Sequence, residues 1–182
     1  MEIKEEKKAL RKKMLEHRLQ LDKHTKAAHD AYICTQLEAV IEANNCAVIH
    51  AYIPMAGEIN ITPLLVNLMN KGVKIICPKT LPKRQLENRV LHSLDELETG
   101  IMGTQHPLKQ EVYEGPYDLI IVPGLAYDNN RYRLGYGGGY YDNFLVNQPA
   151  AIKAGIFYPF QQLHRVPTEE HDIQLDTIFS NV

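Results

Sequence analysis

The glycines Gly135, Gly137, Gly138 and Gly139 fall within five positions, behind Arg131 and Arg133 and ahead of Asp142. Lacking Cβ atoms, such a run reaches left-handed conformations and brings backbone N–H groups close to a ligand. The two arginines add cationic donors, successive N–H groups can form an anion nest, and the start of a following helix adds the positive end of its dipole. The chemistry indicated is phosphate binding. Asp142 reads either as a complement to that dipole or as a ligand for Mg²⁺ beside bound phosphates. The spacing departs from two common nucleotide loops. A dinucleotide fingerprint would place a third glycine at position 140, which is Tyr140, and an acidic residue about 20 positions further on. A phosphate loop of the GxxxxGK[ST] type does not occur.

Other candidate groups are fewer. Lys7 and Arg11 lie four apart in a basic run, which fits either a solvated helix face or a cationic pair set to meet phosphate or carboxylate oxygens. The histidines form no HExxH pattern, His50 on a strand reads as an interior residue, and no GxSxG elbow supports a serine hydrolase. Cys34, Cys46 and Cys77 make no CxxC pair and sit in apolar stretches, as free thiols in a reducing cytoplasm would.

The elements that must hold these groups alternate. Helices are expected over residues 2–19 (stripe Ile3, Leu10, Met14, Leu21) and 25–44 (stripe Ile33, Leu37, Val40, Ile41), the second stopping at Asn44 and Asn45. From Cys46 onward short apolar runs predict strands over 47–53, 73–77 (stopped by Pro78), 89–94, 118–122, 152–158 and 177–179. Helices are expected over 62–70, with Pro63 in its first turn, and over 139–146, while 95–115 is loop-rich. Alternation of this kind predicts an α/β domain, a mostly parallel sheet flanked by helices, with ligands outside the carboxyl ends of its strands. The loops after Ile53 and Val122 lie at such ends.

The 182 residues suffice for one domain spanning 1–182. A formal net charge of −2 gives no global basic field, so neither nucleic acid nor a membrane surface is an expected partner. The charged N-terminus has no apolar core for a secretion signal, and no run is long enough to span a bilayer.

Val122-Pro-Gly-Leu-Ala126, Tyr127-Asp128 and Arg133-Leu-Gly-Tyr-Gly-Gly-Gly-Tyr-Tyr-Asp142 together resemble the signature of the 5-formyltetrahydrofolate cyclo-ligase family, also called methenyltetrahydrofolate synthetases. Weaker matches follow the family's order: Lys7-Lys-Ala-Leu-Arg11, Met55-Ala-Gly-Glu58, Phe160-Gln161 and Val166-Pro-Thr-Glu-Glu-His-Asp172. The resemblance implies an α/β fold similar to the sugar-isomerase and CoA-transferase class. It also implies ATP- and Mg²⁺-dependent conversion of 5-formyltetrahydrofolate to 5,10-methenyltetrahydrofolate by a cytoplasmic monomer. ATP would phosphorylate the formyl oxygen, N10 would attack the activated carbon, and phosphate would leave.

Carried over position by position, the resemblance puts Lys7, Lys8 and Arg11 on ATP phosphates, with Arg11 also near the substrate. Arg133, Leu134, Gly135, Tyr136, Gly137, Gly138, Gly139, Tyr140 and Tyr141 would form the nucleotide loop, in which Tyr136, Gly138 and Tyr140 also face the folate. Glu58 would accept hydrogen bonds from the pterin between Ile53 and Met55, and Asp142 and Asp172 would serve Mg²⁺. Arg11, Arg133 and Tyr140 are the candidates for catalysis. On spacing alone, Tyr140 and Tyr141 also fit a helix core and Asp172 a turn. Four sites depart from the family pattern: Arg131 for a glycine, Gln105-His106-Pro107 for Glu-Pro, Asn60 for an acidic residue, and Ser180-Asn181 for Thr-Glu. These departures leave open a member that binds folate and nucleotide without turnover, and the imperfect glycine pattern leaves a dinucleotide oxidoreductase as a third reading.

Overall fold

The computed structural model describes residues 2–181. Two helices open the chain, α1 (Ile3–Gln20) and α2 (Lys23–Ala43). Asp22 starts α2 by accepting the Thr25 N–H at 2.9 Å. Asn45, at φ 50°, ends it, and the Cys46 N–H returns to the Ile41 carbonyl. Then follow β1 (Val48–His50), α3 (Thr62–Asn70), β2 (Lys74–Leu81), β3 (Gln85–Val90), β4 (Leu97–Thr99), β5 (Gln105–Pro107), β6 (Leu119–Val122), β7 (Ala126–Tyr127), β8 (Arg133–Leu134), α4 (Tyr140–Leu145), β9 (Ile152–Ile156) and β10 (Thr177–Phe179).

The main sheet has the order β10-β9-β6-β1-β2-β3, parallel throughout except for the antiparallel β2–β3 pair. The expected α/β class with a mostly parallel sheet is therefore the observed one. Strand alternation divides the core between the sheet's faces. Ile49, Ile75, Leu119 and Ile121 pack with Ile33, Leu37 and Ile41 of α2 and Leu64, Leu65 and Leu68 of α3. Ile76, Ile120 and Val122 pack instead with Leu145 of α4, Phe157 and Leu175. Each such fully buried side chain contributes roughly 1.5–3 kcal/mol. A third cluster joins Met14 of α1 to Leu125, Ala126 and Leu134, so α1 rests on the β7–β8 hairpin.

Several boundaries differ from expectation. β1 ends at His50 because its chain leaves the sheet towards the 51–58 loop. β2 runs straight through Pro78, the residue expected to stop it. Pro78 lies opposite Asn88, whose carbonyl turns away from β2 to the Tyr113 N–H, so the proline nitrogen faces the β1 side, where β1 has already ended. The 95–115 segment contains the β4–β5 hairpin, and β3 lies at 85–90 rather than 89–94. All three cysteines are free, Cys46 and Cys77 buried and Cys34 half-buried.

His50 is fully buried on β1, its Nε2 2.8 Å from Asn88 Oδ1 and its ring packed on Phe144. Burial, only partly opposed by the Asn88 hydrogen bond, lowers its pKa from 6.5 to about 4. Between those values the unfolded chain takes up a proton that the folded chain refuses. Stability from this residue is therefore full above pH 6.5 and falls towards pH 4, by on the order of 3 kcal/mol in all. His50→Gln should remove that part of the acid-side slope in urea unfolding measured across pH; an unchanged slope would contradict a buried neutral imidazole.

Candidate active site

The carboxyl ends of β1 and β6 open into a cavity of about 800 Å³, bounded by α1, the 51–58 loop, the β2–β3 turn, the glycine stretch and the C-terminal segment. Its floor is the glycine stretch, in which Gly137 and Gly139 adopt φ of 101° and 70°. A Cβ on Gly137 would lie 3.2 Å from the Arg11 guanidinium, and one on Gly138 would lie 2.7 Å from the Tyr140 ring. These glycines thus admit both a left-handed backbone and the close approach of two flanking side chains. Arg11 also donates from Nε to the Gly135 carbonyl at 2.9 Å, holding α1 to the loop.

Charges along one wall neutralise one another. Arg133 donates to Asp142 Oδ1 at 2.7 Å, and the same oxygen accepts the Ile173 N–H at 3.0 Å. Asp142 therefore joins the loop to the C-terminal segment. Asp142 lies in the first turn of the six-residue α4, and its carboxylate is held across the glycine loop by Arg133. Lys7 reaches Asp172 Oδ2 at 2.6 Å and Glu169 Oε2 at 2.8 Å. Burial opposes the Lys7 charge, but the hydrogen bonds and attraction of these two carboxylates outweigh it and raise its pKa. The Glu169 carboxyl is lowered in turn, chiefly by the hydrogen bond from Lys7.

The opposite wall carries Glu58, which is buried. Its Oε2 accepts the Met55 N–H at 2.8 Å and its Oε1 accepts the Tyr136 hydroxyl at 2.7 Å. Behind them Arg18, also buried, donates to the Tyr136 oxygen and, at 2.6 Å, to the Gly124 carbonyl. Burial and then the Glu58 charge raise the Tyr136 pKa against the pull of Arg18, so the phenol stays protonated and donates.

Every residue expected at the site lines this cavity except Lys8. Lys8 is exposed because α1 turns about 100° per residue, which places Lys4, Lys7 and Arg11 on one face and Lys8 beside it. Arg18, Tyr52, Glu169 and Arg84 escaped the sequence reading. Arg18 was detectable, since it continues the Lys4, Lys7, Arg11 spacing by seven. Of the departures, Gln105 reaches the cavity. Arg131 does take a positive φ, 63°, and its Nε donates to the Leu175 carbonyl. Asn60 Oδ1 accepts the Thr62 N–H at the start of α3. His106 is buried against Glu98, and Asn181 Nδ2 meets His29 Nδ1.

Residues 3–181 match the model of the 5-formyltetrahydrofolate cyclo-ligase family. The chain belongs to this family. It is 27% identical over 182 residues to 5-formyltetrahydrofolate cyclo-ligase of Mycoplasma pneumoniae, covering 97% of this chain and 99% of the relative. The Aquifex aeolicus 5,10-methenyltetrahydrofolate synthetase structure superposes with a TM-score of 0.83 at 31% identity, over 96% of this chain and 89% of the other. A Mycoplasma pneumoniae 5,10-methenyltetrahydrofolate synthetase structure gives 0.78 at 25% identity, over 94% and 96%. The cyclo-ligase signature is thus the same stretch that floors the cavity.

The Arg18–Tyr136–Glu58 relay has a stability consequence. Tyr136→Phe removes one hydroxyl between two buried charged groups and should lower the urea unfolding free energy by about 1–3 kcal/mol. A loss below about 0.5 kcal/mol would mean that the relay adds nothing to the fold.

Proposed function

We propose that the protein converts 5-formyltetrahydrofolate and ATP to 5,10-methenyltetrahydrofolate, ADP and phosphate with Mg²⁺. The observation that carries this reading is Tyr136. Its backbone belongs to the phosphate-binding type of loop and its hydroxyl holds Glu58, so one residue joins a cationic wall to a wall with a single buried carboxylate. Two substrates that must react with each other need such adjacent walls.

The residues lining the cavity suit these groups. A cavity of about 800 Å³ lies at the upper end of ligand-site sizes, as two substrates require. Among the described residues no three His, Cys, Asp or Glu side chains form a metal cluster. Mg²⁺ commonly uses one or two carboxylates with phosphate and water completing the shell. Asp142 Oδ2 and Asp172 Oδ1 carry none of the hydrogen bonds that occupy their partner oxygens, and remain for that role.

ATP with Mg²⁺, when bound, supplies the phosphoryl group that makes the formyl oxygen a leaving group. The chain's own residues do the rest. Arg11 and Arg133, with Lys7, offset phosphate charge beside the loop. Lys8, exposed on α1, is left out of this set. Leu134 and Tyr141 support the loop, while Tyr140 lies against Gly138 to bring the folate face to it. Glu58 accepts pterin N–H groups in place of the Tyr136 hydroxyl. Ile53 and Met55 cover the pterin faces and keep water from the activated carbon. Residues 1–182 act as one catalytic unit, monomeric and cytoplasmic, in keeping with buried free thiols at Cys46 and Cys77.

Mixing the purified protein with ATP, Mg²⁺ and 5-formyltetrahydrofolate should produce the near-ultraviolet absorbance of the methenyl product. Absence of an ATP-dependent rise at high enzyme concentration would overturn the proposal, and saturable folate binding without turnover would establish a non-catalytic member instead.

A further inference from the structure

The cavity cations differ in how they are satisfied. Lys7 faces two carboxylates, Arg133 faces Asp142, and Arg11 is tied to the Gly135 carbonyl. Arg84 also lines the cavity, yet among the described residues its side chain takes part in no hydrogen bond or ion pair. It stands at the end of the turn Pro82-Lys83-Arg84, which joins β2 to β3 between the paired Leu81 and Gln85.

That turn is strained. Lys83 and Arg84 both take φ of 59°, where glycine or asparagine would sit easily. Left-handed conformations at two adjacent long side chains persist only where the surroundings hold them, and such strain gathers at ligand-contacting segments. Here the Asn143 side chain donates to the Arg84 carbonyl at 3.2 Å, fixing the turn to α4. The Arg84 side chain then lies over Gly139: Cδ, Nη1 and Nε are 3.5–3.7 Å from where a Cβ on that glycine would be. Arg11 lies over Gly137 in the same manner, with its guanidinium 3.2–3.3 Å from the corresponding point. Two guanidinium groups, delivered by α1 and by the β2–β3 turn, thus cover alternate glycines of one loop.

We infer that Arg84 is a phosphate-binding residue for the nucleotide, a second guanidinium alongside Arg11 that the glycine loop accommodates at Gly139. The inference rests on the ATP-dependent reading above. Arg84 is suited to this because Lys7 and Arg133 must share their charge between phosphate and their carboxylate partners, whereas among the described residues no carboxylate competes for Arg84. An arginine free of internal partners loses none of them on meeting phosphate oxygens, and its planar fork can contact two at once. Folate carries carboxylates as well, so affinity for the two substrates must be read separately.

Calorimetric titration of the full-length protein with ATP and Mg²⁺, and separately with 5-formyltetrahydrofolate, tests this on Arg84→Gly and Arg84→Lys. Glycine suits the left-handed backbone, so Arg84→Gly should keep or raise the melting temperature while weakening ATP binding about tenfold. Arg84→Lys should recover part of the affinity, and 5-formyltetrahydrofolate should bind as before to both. Unchanged ATP affinity in Arg84→Gly, or a loss confined to 5-formyltetrahydrofolate, would overturn the assignment while leaving the proposed reaction intact. Failure of the unsubstituted protein to bind ATP would overturn both.

Discussion

The ion pair between Arg133 and Asp142 is the contact on which the site's construction depends. It is nearly dry, with the two side chains 3% and 14% exposed. Arg133 stands at the start of the glycine loop and Asp142 just beyond its end, so the pair closes the loop on itself. The Ile173 N–H on the same Asp142 oxygen brings in the C-terminal segment, and Lys7 on Asp172 then brings in α1. Three stretches far apart in sequence, the glycine loop, the C-terminal segment and α1, are joined through two carboxylates. Removing one partner of such a buried pair is far more damaging than its net contribution, because the other charge is left unmatched; losses of roughly 3–5 kcal/mol are usual.

The same carboxylates answer a second demand. A cluster of Lys7, Arg11, Arg133 and Arg84 would repel itself if bare, and the acidic residues at positions 142, 169 and 172 relieve that in the free protein. On the proposed reading, phosphate and Mg²⁺ enter by sharing these groups, so binding redistributes charge that is already balanced. The folate wall follows the same logic with Tyr136 as placeholder, its hydroxyl on Glu58 and Arg18 behind it.

Much of this was legible in the residues. The glycine stretch, the apolar run before it and the short motifs at 7–11, 55–58 and 166–172 are local signals, and they line one cavity. Helix and strand periods gave the fold class because the sheet's two faces bury alternate residues. What was not legible depends on partners distant in sequence. Pro78 is tolerated only because β1 has stopped beside it. Asp142 fits a dipole complement on local pattern, and its second tie, to the Ile173 N–H, lies 31 positions away. Arg18 carries no local signal of burial, which follows from Tyr136 and Gly124, more than a hundred positions away. The positive φ at Arg131 fits the family's usual glycine, while the Leu175 contacts that hold it in place carry no local signature.

A double-mutant cycle on Arg133→Met and Asp142→Ala, followed by urea unfolding, tests the organising role of this pair most directly. The expected result is that the double variant loses less than the two single losses combined, with a coupling of about 1–3 kcal/mol. Losses that simply add would contradict it, and would mean that loop and C-terminal segment are held in place without the pair.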